Sequence, residues 1–189
     1  MISFLESFFT TFSIVSLMEL GDKTQLILLS LLARYRSGKE VFFGASLAFA
    51  ALTIMGGVLG HEASIIIPSH LVSQMSALLF IIIGLFTLIQ RKNELKEEEG
   101  GRSLSPFKAS FMGISLAELG DKTQITVFSL SAVSRNPFAT ILGGYLALIF
   151  ICFLTLEIGD AILRRIPRRM LRFISGILFI IVGIVLLLS

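Results

Sequence analysis

The chain has 189 residues, 54% of them hydrophobic and 15% charged, with a mean hydropathy of +0.89. A soluble domain carries about 25% charged residues, so composition excludes an ordinary soluble protein and points to a membrane protein. The formal net charge of +3 is no nucleic-acid signal, because the basic residues fall in short loops between apolar runs, and the lone Cys152 excludes an intrachain disulfide.

The N-terminal run Met1-Ile2-Ser3-Phe4-Leu5 lacks a positive n-region, and its apolar character continues far past an h-region, so no cleavable signal peptide is expected. Six apolar stretches follow, each near the ~20 residues a bilayer requires: 3–33, 40–60, 70–90, 106–134, 137–160 and 170–188. The expected fold class is therefore an all-α membrane protein with six transmembrane helices. The first stretch would be about 46 Å long as one helix, so it must tilt, kink or break. Gly21 and the matching Gly120 in the fourth are the natural places.

The loops orient the spans. Arg34, Arg36 and Lys39 follow the first span. Arg91, Lys92, Lys96, Arg102 and Lys108 follow the third, and Arg164, Arg165, Arg168, Arg169 and Arg172 follow the fifth. Thirteen of the sixteen basic residues thus lie on one side, and the other side has only Arg135. The positive-inside rule puts those loops in the cytoplasm and both termini outside. Residues 91–105, centred on Glu97-Glu98-Glu99-Gly100-Gly101, read as a solvated cytoplasmic linker between a first half, 1–90, and a second, 106–189.

The remaining two lysines belong to a motif that occurs twice. Glu19-Leu20-Gly21-Asp22-Lys23-Thr24-Gln25 returns 99 positions later as Glu118-Leu119-Gly120-Asp121-Lys122-Thr123-Gln124. At the same offset Ser16 matches Ser115, Ser30 matches Ser129, Gly44 matches Gly143, and Gly60, Pro68 and Gly84 match Gly159, Pro167 and Gly183. A duplicated three-span unit is the economical reading. Three is odd, so the second copy enters the membrane from the opposite side. Such inverted repeats mark secondary transporters with a midplane site at the repeat interface.

Charges at membrane depth cost at least about 2.5 kcal/mol each at a helix centre, so carboxylates there are read as functional. On a continuous helix Glu19, Asp22 and Gln25 would share one face, as would Glu118, Asp121 and Gln124. If a pseudo-two-fold axis joins the two stripes, four carboxylates and two amide oxygens converge. That all-oxygen set suits Mg²⁺, Ca²⁺ or Mn²⁺ rather than Zn²⁺ or Cu⁺. Met18 adds a thioether to the first copy only, for core packing or as a softer donor. Four carboxylates and two lysines leave an excess of two negative charges, which matches one divalent cation. Like charges at low dielectric resist joint ionisation, so protons can replace the metal.

Lys23 and Lys122 sit four residues after their glutamates, which favours a structural ion pair on one helix, with snorkelling to an interface as the alternative. A helix break at the glycines would point helix N-termini or free carbonyls at an ion. Thr24 and Thr123 either supply hydroxyl oxygens or bond back to their own helix. The plain alternative for the whole motif is an internal ion pair that locks packed helices, although its duplication at equivalent positions favours a site. Glu157 and Asp160 are expected to pair with Arg164 as an interfacial anchor. His61, Glu62 and His70 read as solvated loop residues. Gly44, Gly56, Gly57, Gly60, Gly143 and Gly144 read as helix-packing faces, with Gly56 and Gly60 in GxxxG spacing.

The doubled Glu-x-Gly-Asp-Lys-Thr on the first and fourth of six spans resembles the family of bacterial manganese exporters and eukaryotic Golgi calcium/manganese transporters, cation/proton exchangers of the calcium–cation antiporter type. The resemblance covers the whole chain. It implies that Glu19, Asp22, Glu118 and Asp121 bind the cation, that Mn²⁺, with Ca²⁺ as second candidate, leaves the cytoplasm in exchange for protons, and that the protein needs no cofactor. It also implies a multi-pass protein of the bacterial plasma membrane whose partners are the ion, protons and lipid. A non-enzyme is expected. A small-solute exporter of the amino-acid type would need the lysines rather than the carboxylates. An intramembrane aspartyl protease would need a Tyr-Asp pair that the sequence lacks.

Overall fold

The computed structural model describes residues 2–89, 104–163 and 168–188, and all regular structure among them is α-helical. The expected acidic linker centre and Arg164 and Arg165 lie outside the described residues. Among the described residues there are eight helices: α1 (Ile2–Glu19), α2 (Lys23–Tyr35), α3 (Gly38–Ile66), α4 (Ser69–Ile89), α5 (Pro106–Glu118), α6 (Lys122–Val133), α7 (Pro137–Leu163) and α8 (Arg168–Leu188). The first and fourth apolar stretches are thus broken, each at its motif. Residues Ser3–Glu19 and Lys23–Tyr35 meet at 66°. Gly38–Ile66 and Pro137–Glu157 are long and apolar enough to cross a membrane, and the bent α1–α2 pair is a third candidate.

Local chemistry sets these boundaries. Ser105 caps α5 by accepting a hydrogen bond from the Lys108 N–H at 3.4 Å, with Pro106 at the first helical position. Asn136 accepts one from the Ala139 N–H at 3.0 Å, ahead of which Pro137 opens α7. Gly21 and Gly120 break the helices because both adopt positive φ, +80° and +75°, where an L side chain is strained.

α3 and α7 pack on each other and on the half-helices, while α4 pairs with α8. The first helix of each half packs against the second long helix of the other, α1 on α7 and α5 on α3. The same contact recurs at the offset of 99. A β-carbon at Gly44 would run into the carbonyl oxygen of Phe107, and one at Gly143 into that of Phe8. The core that this exchange encloses joins Val15, Leu28, Phe49, Ile114, Val127 and Leu148, from six helices.

The inner half-helices differ. α6 buries Thr123, Thr126, Val127, Ser129, Leu130, Ser131 and Ala132, whereas α2 buries Thr24, Gln25 and Leu28. Sequence explains this. α6 lies against Gly56 and Gly60 of α3, where a β-carbon would sit 3.2 Å from the Gln124 carbonyl oxygen and would collide with that of Phe128. Ser131 Oγ ties the seam by donating to the Gly57 carbonyl at 2.7 Å. The α7 position matching Gly56 is Thr155 rather than glycine. The GxxxG expectation holds, on one side of the molecule. His61, Glu62 and His70 are exposed as expected, but on α3 and α4 rather than in a loop.

Candidate functional site

Both motif copies lie at helix breaks, and the breaks face each other. In each, a tight turn links the acidic residues: the Asp22 N–H donates to the Glu19 carbonyl at 3.2 Å, and Asp121 does the same to Glu118 at 3.0 Å. The glycine N–H that a continuous helix would have bonded finds a side chain instead. Gly21 N–H donates to Gln25 Oε1 at 2.9 Å and Gly120 N–H to Gln124 Oε1 at 2.6 Å. The glutamines therefore use one oxygen lone pair to stabilise the break.

The break corrects the expectation that Glu19, Asp22 and Gln25 form one helical stripe. Glu19 ends α1, while Asp22 is the residue before α2 with extended backbone (φ −81°, ψ 172°). Asp121 stands in the same relation to Glu118, with φ −79° and ψ 172°. The i, i+3 rule requires a continuous helix, and the turn removes it.

The lysine and threonine expectations are corrected too. Lys23 Nζ reaches Asp121 Oδ2 at 2.9 Å and Lys122 Nζ reaches Asp22 Oδ2 at 2.9 Å, each across to the other copy rather than back to its own glutamate. Thr24 Oγ1 donates to Glu118 and Thr123 Oγ1 to Glu19, again across. The two threonines lie in the first turns of α2 and α6, so each glutamate sits at the N-terminus of the other copy's second half-helix. Hydroxyl and helix dipole both stabilise negative charge there. Glu19 is 1% exposed and Glu118 3%.

The four carboxylates are thus brought to one centre but do not converge on one point. Among the described residues no three His, Cys, Asp or Glu side chains are grouped closely enough to hold a metal ion. The reason is visible in the partners: an ammonium stands on each aspartate and a hydroxyl on each glutamate. A small recess beside Glu118 is lined by Phe49, Thr53, Thr123, Gln124 and Leu148 among others.

Three contributors were not legible in sequence. Thr53, buried on α3, borders the recess while its hydroxyl donates to the Phe49 carbonyl at 2.6 Å. Thr126 donates to the Lys122 carbonyl at 2.7 Å and lies 3.7 Å from Met18 Sδ. The Met18 carbonyl accepts from Lys122 Nζ at 3.1 Å. The Met18 side chain itself packs with Ile14, Phe80 and Leu130, which is the core role. No hydropathy pattern marks these positions, although a hydroxyl at every third residue from Thr123 to Ser129 was a usable signal. The anchor expected around Glu157 leaves that residue exposed, and its partner Arg164 lies outside the described residues.

Gly120 has open space around it, with nothing within 4 Å of an added β-carbon. Gly120→Ala is therefore expected to cost only backbone strain, roughly 1–2 kcal/mol. Thermal unfolding in detergent checks this. A variant as stable as wild type would mean that the break does not require positive φ.

Comparisons with known proteins bear on the family. The family model described as "Divalent cation/proton antiporter GDT1" matches residues 7–95 and 106–189. A Vibrio cholerae protein named "Putative manganese exporter" is 29% identical over 171 residues, covering 90% of this chain and 84% of its own. The Saccharomyces cerevisiae protein "Divalent cation/proton antiporter GDT1" is 25% identical, covering 95% of this chain and 82% of its own. "GDT1-like protein 5" of Arabidopsis thaliana is 27% identical across 99% of this chain and 97% of its own. No solved structure matches. With both of its halves matched, this chain belongs to the GDT1 family of divalent cation/proton antiporters.

Proposed function

We propose that the protein exports Mn²⁺ from the cytoplasm in exchange for protons, with Ca²⁺ as the second candidate ion, across a bacterial plasma membrane. In this reading the halves 1–90 and 106–189 are inverted three-span repeats, N-out and C-out, joined by the cytoplasmic linker 91–105. The cation site is built from Glu19, Asp22, Glu118 and Asp121, with oxygens of Gln25 and Gln124 beside them. Gly21 and Gly120 set the break, and Lys23, Thr24, Lys122 and Thr123 support the acids. The observation that carries the reading is the reciprocal pairing of the two motif copies, in which the lysine–aspartate pair and the threonine–glutamate hydrogen bond each have a counterpart 99 positions away. Two buried glutamates and two aspartates from opposite halves at one centre suit a hard or borderline divalent cation. Their excess of negative charge is balanced either by that cation or by protons, which is the requirement for exchange. The name of one relative, "Putative manganese exporter", supports manganese as the cargo. The loop charges orient the chain, and on that orientation the tight α3–α6 seam closes the outer side while the looser α2 side faces the cytoplasm.

The test is Mn²⁺ flux in proteoliposomes under an imposed pH gradient, with Ca²⁺ and Mg²⁺ as competitors. Flux driven by the gradient and reduced by Ca²⁺ less than by unlabelled Mn²⁺ is the expected result. Flux that ignores the gradient would make the protein a uniporter, and no flux of any divalent ion would remove the reading.

A further inference from the structure

Resting on the proposed divalent-cation site, we infer that Lys23 and Lys122 are tethered stand-ins for the cargo, which hold the aspartates when no ion is bound and which the ion must displace. Each ammonium lies 2.9 Å from an aspartate oxygen of the opposite repeat. A divalent ion ligated by that carboxylate at about 2.0–2.6 Å would face the ammonium across a few ångströms of low dielectric. Sharing the aspartate would hold two like charges a few ångströms apart, so the ion disfavours the ammonium there. Charge matches as well as position: two ammonium groups on two aspartates carry the same charge that one divalent ion brings. The exchange uncouples the two ion pairs that join the halves. The same arrangement explains why the carboxylates do not converge among the described residues. The internal lock and the ion site, which sequence presented as alternatives, are two states of one centre.

The two lysines are not equivalent. Lys122 is 15% exposed and donates a second bond to the Met18 carbonyl, whereas Lys23 is 33% exposed and pairs with Asp121. Lys23 is thus the group that leaves first, and it belongs to α2, the less buried half-helix. Lys122, anchored at two points, holds Asp22 until the ion has entered.

Equilibrium Mn²⁺ binding to the purified full-length protein tests this, read by loss of the free Mn²⁺ paramagnetic signal. Lys23→Gln removes the competitor at similar length, and affinity is expected to rise about tenfold, while Lys23→Arg, which keeps the charge, is expected to stay within about twofold of wild type. Gradient-driven turnover of Lys23→Gln is expected to fall although binding tightens, because the empty carrier has lost its internal cation. Weaker or unchanged binding in Lys23→Gln would overturn the inference and make the lysine a scaffold for Asp121. A second measurement needs no variant. Acetylation of Lys23 in the wild-type protein, followed by mass spectrometry, is expected to run severalfold faster in saturating Mn²⁺ than in its absence, as the amine leaves Asp121. A slower or unchanged rate would overturn the inference even if Lys23→Gln does not fold. Wild-type protein that binds neither Mn²⁺ nor Ca²⁺ would instead sink the site on which the inference rests.

Discussion

Glu19→Gln and Glu118→Gln are each expected to lower gradient-driven Mn²⁺ flux by about 100-fold or more while leaving the fold intact. Loss of a partner that merely orients a metal ligand costs about 10–100-fold in affinity, so loss of the ligand's own charge costs no less. The fold survives because an amide oxygen still accepts the hydrogen bond that Thr123 gives Glu19 and Thr24 gives Glu118. Gln also fills the volume of Glu at positions that are 1% and 3% exposed. Flux in proteoliposomes and thermal unfolding of the same preparation separate the two effects. A variant that unfolds like wild type yet transports nothing places the glutamates in the transport step. Transport within twofold of wild type in both variants would show the motif to be structural, with the cation held elsewhere.

Gly60→Val is expected to have the largest effect on packing. Its β-carbon would collide with the Phe128 carbonyl oxygen, a backbone atom that cannot rotate away. Relief requires α3 and α6 to separate, and overpacking of this kind costs about 1–3 kcal/mol. The Ser131 hydroxyl bond to the Gly57 carbonyl in the same seam is lost with it. Gly113→Ala is the control, since its β-carbon would meet nothing closer than Ile27 Cγ2 at 3.9 Å. It sits inside α5, where alanine gains roughly 0.5–1 kcal/mol over glycine. A lowered melting temperature in detergent for Gly60→Val beside an unchanged or raised one for Gly113→Ala is the expected pair. Ser131→Cys, buried in the native seam, should react with an externally added thiol reagent only in the Gly60→Val background. Equal stability of Gly60→Val and wild type would mean the seam is not closed in the membrane.

Much of this protein is determined by its sequence without tertiary information. The approximate ends of several helices follow from apolar runs and from cap residues such as Ser105, Pro106 and Asn136, because hydration and backbone satisfaction are decided locally. The breaks at Gly21 and Gly120 are equally local, since glycine takes positive φ without steric cost. The duplicated motif, being a repetition in the chain, needs no coordinates at all. Pairing is different. Glu19 and Asp22 look like neighbours on one face until the helix axis turns by 66° between them, and a rule built on continuous helices cannot see past the turn. Lys23 has an acid four residues away, and the structure gives it another nearly a hundred residues away, because the bend carries it toward the opposite copy. The different burial of α2 and α6 was also beyond reach of the motif, which is identical in both. The close approach of α6 rests on Gly56 and Gly60 facing it, and the α7 position matching Gly56 is Thr155, a difference of a few atoms that bears on how closely two helices approach.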